Sequence, residues 1–281
     1  MAEDKKSKQK KIDTELESSK SNDETGSKSH GEILKEQICE GQLVYKKSSL
    51  SILLSSFTAG LEIGFSYLLL ASLFFFLQGK VSEETAFKII SLGYPVGFIM
   101  VILGQSLLFT EQTSLLTLPV LNNQQSLPKL LKLWGLVISG NILGGWAMAA
   151  TLVWIGPQLH IFEIATVEAL AHHVSDYSNT VIFVSAILAG WLMGLLSWVV
   201  TSSRETMSRI VIIYMITFIL AFAGLHHSII GNIEVFAGWI TSSEISTTDY
   251  LTFLSIALLG NAIGGVVFVA LLKYRAFVTS A

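Results

Sequence analysis

Residues 101–119 read Val101-Ile102-Leu103-Gly104-Gln105-Ser106-Leu107-Leu108-Phe109-Thr110-Glu111-Gln112-Thr113-Ser114-Leu115-Leu116-Thr117-Leu118-Pro119. An apolar run that opens at Tyr94 meets a polar cluster, Thr110 to Ser114, and resumes at Leu115. A second stretch does the same. After apolar residues 210–222 come Gly224-Leu225-His226-His227-Ser228, then Gly231-Asn232 and Glu234, before the chain is apolar again to Ile240. Irregular polar backbone at membrane depth is tolerated only where protein or a water-filled cavity satisfies it. The two breaks are therefore expected to face each other inside a helical bundle.

The surrounding sequence demands that bundle. Of 281 residues, 51% are hydrophobic and 14% charged, with a mean hydropathy of +0.60. Residues 50–77 carry a single charge, Glu62, over a length that exceeds the roughly 20 residues needed to cross about 30 Å of hydrocarbon. Hydropathy marks six segments, near 48–78, 87–120, 129–156, 180–200, 206–240 and 250–273, which predicts an all-α membrane protein with six transmembrane helices, the second and fifth broken. Residues 48–275 form the channel domain in this reading, and 276–281 a short C-terminus. Residues 1–47, rich in Lys, Ser, Asp and Glu, are expected to be a disordered tail without the apolar core of a signal peptide. Lysines and arginines fall in this tail, at Lys129, Lys132, Arg204 and Arg209, and at Lys273 and Arg275, all on one side of the predicted topology, with only Lys80 and Lys88 as basic residues on the other. The positive-inside bias thus puts both termini in the cytoplasm and the chain in the inner or plasma membrane.

The two halves echo each other. Gly140-Asn141-Ile142-Leu143-Gly144-Gly145 is matched by Gly260-Asn261-Ala262-Ile263-Gly264-Gly265, Ala59-Gly60 through Gly64 by Ala189-Gly190 through Gly194, and Gly104-Gln105-Ser106 is placed like Gly224-Leu225-His226. Each unit holds three predicted spans, an odd number, so the second copy must be inverted, with any substrate path near the repeat interface. The Gly-xxx-Gly spacings serve close helix packing.

Half-helix N-termini offer free N–H groups and a positive dipole end, which attract anions without fixed charge. Thr110 adds a neutral hydroxyl donor. His227 is the candidate proton carrier, because imidazole titrates near neutral pH and ionisable groups inside a membrane are costly enough to be functional more often than not. The bland alternative is a neutral histidine tying a helix break to the backbone, and for the adjacent His226 that alternative is favoured.

Leu108-Phe109-Thr110, His227-Ser228-Ile229 and the paired Gly-Asn-x-x-Gly-Gly resemble the formate/nitrite transporter family over roughly residues 45–275. The resemblance implies an aquaporin-like protomer, a homopentamer with one narrow pore per subunit, and a threonine facing a histidine between apolar constrictions. Those roles map onto Thr110 and His227, with Phe98, Leu108, Phe109, Leu220, Phe222, Glu111 and Asn232 as further candidates for the lining. The implied cargo is a small monovalent anion, or its weak acid protonated with help from the histidine. Three departures stand out: residues 160–180 contain no Lys or Arg, carboxylates stand at Glu62 and Glu111, and Ile230-Gly231-Asn232 follows the His-Ser-Ile motif.

Other classes fit less well. A proton-coupled monocarboxylate carrier would use the same residues, and a neutral-solute or cation path is suggested by the two glutamates. A scaffold or sensor has no need of polar breaks at membrane depth. No enzyme, cofactor or metal site is expected: Cys39 is the sole cysteine, there is no His-x-x-x-His spacing, and no phosphate loop or nucleophile motif occurs. The expected partners are the lipid bilayer and copies of the chain, with no basic stripe for nucleic acid.

Overall fold

The computed structural model describes residues 2–18 and 28–280, and every regular element among them is helical. The order is α1 (Ala2–Ser18), α2 (His30–Tyr45), α3 (Ser49–Leu77), α4 (Glu83–Ile90), α5 (Pro95–Leu103), α6 (Phe109–Leu121), α7 (Leu127–Gln158), α8 (Ile164–Ser175), α9 (Asn179–Ser202), α10 (Thr206–Phe222), α11 (Ser228–Thr241) and α12 (Thr247–Gly265). A π-helical segment, Val266–Leu271, then leads into α13 (Leu272–Ser280). Five helical stretches have the length and apolarity to cross a bilayer, and Thr206–Phe222 is a shorter apolar helix. Leu50, Leu54, Trp154, Val184, Met215, Leu251 and Leu259 stand exposed on their outer faces, the surface a multi-pass membrane protein presents.

Glycine brings the long helices together in matched pairs. A side chain at Gly60 would strike the carbonyl of Asn141, and one at Gly190 the carbonyl of Asn261. Gly144 and Gly264 are closed off in the same way by the carbonyls of Phe57 and Ile187. Backbone thus packs on backbone between α3 and α7 and between α9 and α12.

Between these pairs the chain stops and restarts twice. α5 ends with Gln105 at φ 59°, and Ser106 N–H donates to Val101 O at 3.0 Å. α10 ends with Gly224 at φ 66°, and Leu225 N–H donates to Leu220 O at 3.0 Å. Both are helix ends closed by a left-handed residue followed by a 6→1 hydrogen bond. The register differs by one from the glycine-matched alignment of sequence, since Gln105 rather than Gly104 is the counterpart of Gly224.

The expectation of a disordered 1–47 needs correction where the structure describes it; Met1 and residues 19–27 lie outside the described residues. α2 has a capping box, Ser29 with Glu32, and buries Ile33, Leu34, Gln37, Ile38 and Val44. Its Gly41 allows α2 to lie against Leu115 O and Pro119 of α6, and Tyr45 OH donates to Leu116 O at 2.9 Å. With Ile12 and Leu16 of α1, Ile33, Leu34 and Ile38 form a small second core against Leu118, Trp198, Tyr274 and Phe277. The charges of α2 lie on its other face, so average composition hid an amphipathic helix.

Candidate functional site

The first N–H groups of a helix have no partner within it, and buried ones need partners elsewhere. At the restart of α6, Phe109 N–H donates to Asn141 Oδ1 at 2.8 Å, while Asn141 Nδ2 donates to Ser56 O at 2.8 Å and Leu107 O at 2.9 Å. At the restart of α11, Ser228 N–H donates to Asn261 Oδ1 at 2.8 Å, while Asn261 Nδ2 donates to Ala186 O at 2.8 Å and His226 O at 3.0 Å. Both carboxamides are fully buried. They fix the two helix starts, and so the two side chains just beside them.

Those side chains meet. Thr110 Oγ1 lies 2.7 Å from His227 Nε2, and both residues are buried. His227 caps α11, its Nδ1 accepting from Ile230 N–H at 3.4 Å. A nitrogen that accepts carries no proton, so the imidazole is neutral with its hydrogen on Nε2, donated to Thr110. The threonine hydroxyl hydrogen is left free for a third group. Phe98 covers the imidazole edge-on at 5.1 Å between ring centres and itself stacks on Tyr94 at 5.2 Å.

A narrow cavity of about 60 Å³ opens above His227. A single water needs about 10–15 Å³ on this measure, so the space admits a few waters or a small ion and excludes bulky solutes. Its lining includes Leu70, Tyr94, Ile230, Gly231, Glu234 and Phe253, and it reaches the mouth at His173 and Tyr177. Glu234 is 6% exposed, and its carboxyl has no hydrogen-bond partner among the described residues. Sequence reasoning noted this glutamate without giving it a role. The signal was available: residues 227, 230, 231 and 234 recur at the spacing of one helix face.

The remaining predicted residues go elsewhere. Leu108 and Leu220 are fully buried, and Phe109 sets its ring edge-on to Trp134 at 5.8 Å. Phe222 is 45% exposed at the rim, where Lys88 Nζ lies 4.8 Å from its ring centre. Glu111 turns toward α2, with Glu40 as a charged neighbour. Asn232 Oδ1 accepts from Tyr250 OH at 2.5 Å, and that hydroxyl accepts from Trp146 Nε1 at 2.7 Å. His226 is a bracket: Nε2 donates to Val174 O at 3.0 Å, and Nδ1 accepts from Ser185 Oγ at 2.8 Å.

Known proteins share this architecture. A solved structure described as an FNT family ion channel superposes with a TM-score of 0.78 at 22% identity, covering 87% of this chain and 98% of that one. A pentameric formate channel with formate bound gives a TM-score of 0.69 at 19% identity, with 83% and 98% covered. The inner membrane protein YfdC of Escherichia coli strain K12 is 29% identical over 241 residues, 84% of this chain and 74% of that protein. The family model described as Formate/nitrite transporter matches residues 31–275, a span that takes in α2 as well as the bundle. The chain therefore belongs to the formate/nitrite transporter family.

Proposed function

We propose that the protein conducts small monovalent anions of the formate and nitrite class, as ions or as their weak acids, through a passage in each subunit. The observation that carries this reading is the Thr110–His227 pair, two buried neutral donors between two restarting helices, with one hydroxyl hydrogen uncommitted. An anion entering low dielectric loses several kcal/mol of solvation, which neutral donors and helix N-termini offset in part and protonation removes. The imidazole polarises the hydroxyl that grips the anion and helps its protonation.

The chain crosses the bilayer six times in this reading. The crossings are α3, then α4–α5–α6 as one interrupted span, α7, α9, α10–α11 as the second interrupted span, and α12 with α13. The matched asparagine brackets and helix ends support two repeats, and an odd number of spans in each inverts the second, as in aquaporin-like channels. The basic loops favour cytoplasmic termini. The pentameric assembly of the formate-bound relative, together with the exposed apolar faces here, supports a homopentamer.

One observation favours a second reading, a cation path: the cavity lining contains Glu234 and no Lys or Arg. Uptake into liposomes of formate, nitrite, lactate, hydrosulfide and ammonium across a pH step separates the two. Weak-acid anions are expected to move faster from an acidic source side. Transport of ammonium alone would overturn the anion reading.

A further inference from the structure

His227 has both ring nitrogens engaged and a single hydrogen, given to Thr110. To give a proton to a permeating anion it must first receive one, and protonating Nδ1 would break the cap on Ile230 N–H. The proton must therefore wait elsewhere along the same cavity. His226 is excluded by its brackets to Ser185 and Val174. His173 also lines the cavity, but at its mouth, with its ring stacked on Phe87 at 3.5 Å between centres. The carboxyl within the cavity is that of Glu234, two turns beyond His227 on the same face of α11, roughly 10.5 Å along the axis, 6% exposed and without a hydrogen-bond partner among the described residues.

We propose that Glu234 is the proton-exchange residue of the outer cavity, protonating small carboxylates before they pass His227. This rests on the reading of the protein as a weak-acid path. In the step, the O–H bond of the Glu234 carboxyl breaks and an O–H bond forms on the carboxylate of the entering anion. The negative charge moves from permeant to Glu234, and no electrons change owner. Glu234 is then reprotonated by hydronium from water at the cavity mouth. Donor and acceptor are both carboxyl groups in the same cavity, so the exchange makes and breaks the same kind of O–H bond. The chemistry thus selects carboxylates over anions of strong acids.

The titratable groups facing Glu234 are few. Tyr94, just before α5, shares the cavity lining, and the hydroxyl of Tyr67 in α3 is buried without a partner among the described residues. His173 of α8, Tyr177 beyond it, and His226 and His227 share the cavity lining. α12 contributes Tyr250, which is bonded to Asn232. Glu111 of α6 has Glu40 of α2 as its charged neighbour, and α7 has only Lys129 and Lys132, both exposed near its start.

The test is formate-driven proton movement in liposomes containing the full chain, read by an internal pH dye. Glu234→Gln is expected to lower proton-coupled formate uptake by about tenfold or more and to flatten its pH dependence. Glu234→Asp, which keeps the carboxyl, is expected to restore most of the pH dependence. On the wild-type protein a hydrophobic carbodiimide, which adds to protonated carboxyls in apolar surroundings, is expected to label Glu234, with formate protecting it. This readout needs no variant to fold. Wild-type formate flux together with an unchanged pH profile in Glu234→Gln, or no carbodiimide adduct at Glu234, would overturn the proposal and leave the transport reading standing. A wild-type protein that moves no formate at any pH would overturn both.

Discussion

Asn141 and Asn261 make the same three hydrogen bonds in the two halves of the molecule: the side-chain oxygen takes the first free N–H of a restarting helix, and the nitrogen serves two carbonyls. Only a carboxamide of this reach can do both tasks. Aspartate at either position keeps the acceptor but turns its second oxygen on two carbonyls, burying a charge or an unsatisfied pair. Asn141→Asp and Asn261→Asp should each destabilise the protein by at least about 2 kcal/mol, seen as a lower thermal midpoint in detergent. A neutral effect at one position would mean that its helix start is held by something else.

The two helix ends make a paired prediction of opposite sign. Gln105 occupies the left-handed region where its counterpart is Gly224, and nothing lies within 4 Å of where a side chain on Gly224 would stand. Any effect there is backbone strain alone. Gly224→Ala should destabilise by about 1 kcal/mol, and Gln105→Gly should stabilise by several tenths, the relief of strain being partly offset by greater freedom of the unfolded chain. Equal effects of one sign would refute the equivalence of the two ends.

Much of this arrangement was legible because the repeats carry their chemistry in short motifs. The polar interruptions and the Asn141 and Asn261 pair could be read as residue types in matched order, and the family resemblance implied that Thr110 faces His227. What escaped had physical reasons. Helix faces cannot be told apart where every face is apolar, so Phe222, which the structure turns toward the rim, read the same as buried Leu220. Matching glycine to glycine missed the register, since the backbone needs a left-handed residue and Gln105 supplies it. That Asn232 Oδ1 is taken by Tyr250 could not be read either, because that tyrosine comes from α12, distant in sequence.

The N-terminal helix α2 gives a prediction about the part read as disordered. Leu34 is fully buried in the small core with Trp198 and Phe277, and Gln37 Nε2 donates to Ser197 O at 3.2 Å. Leu34→Ala should lower stability by about 2–5 kcal/mol, the usual range for emptying a packed leucine site. Deleting residues 1–27 should be tolerated far better than deleting 1–45. Limited proteolysis of the purified protein is the check: cleavage within 30–45 as fast as in a peptide would show that α2 does not dock.

The central pair makes the sharpest functional prediction. Thr110→Val preserves volume and removes the hydroxyl, whereas Thr110→Ser preserves the hydroxyl and removes a methyl. A hydrogen bond to a charged group is worth about 1.5–3 kcal/mol, so flux of formate should fall roughly tenfold to a hundredfold in Thr110→Val and stay within a few-fold of wild type in Thr110→Ser. His227→Asn keeps a donor for Thr110 but removes the imidazole that polarises the hydroxyl, so it should lose part of the anion flux and keep the dependence on source-side pH that Glu234 sets. The two variants thus separate the hydroxyl's own grip from its polarisation by the imidazole. Since Thr110 and His227 touch each other, their effects should fall short of additive in the double variant. Fully additive losses would mean that the hydroxyl and the imidazole act on the permeant at different points, and the shared station argued from their 2.7 Å contact would have to be given up.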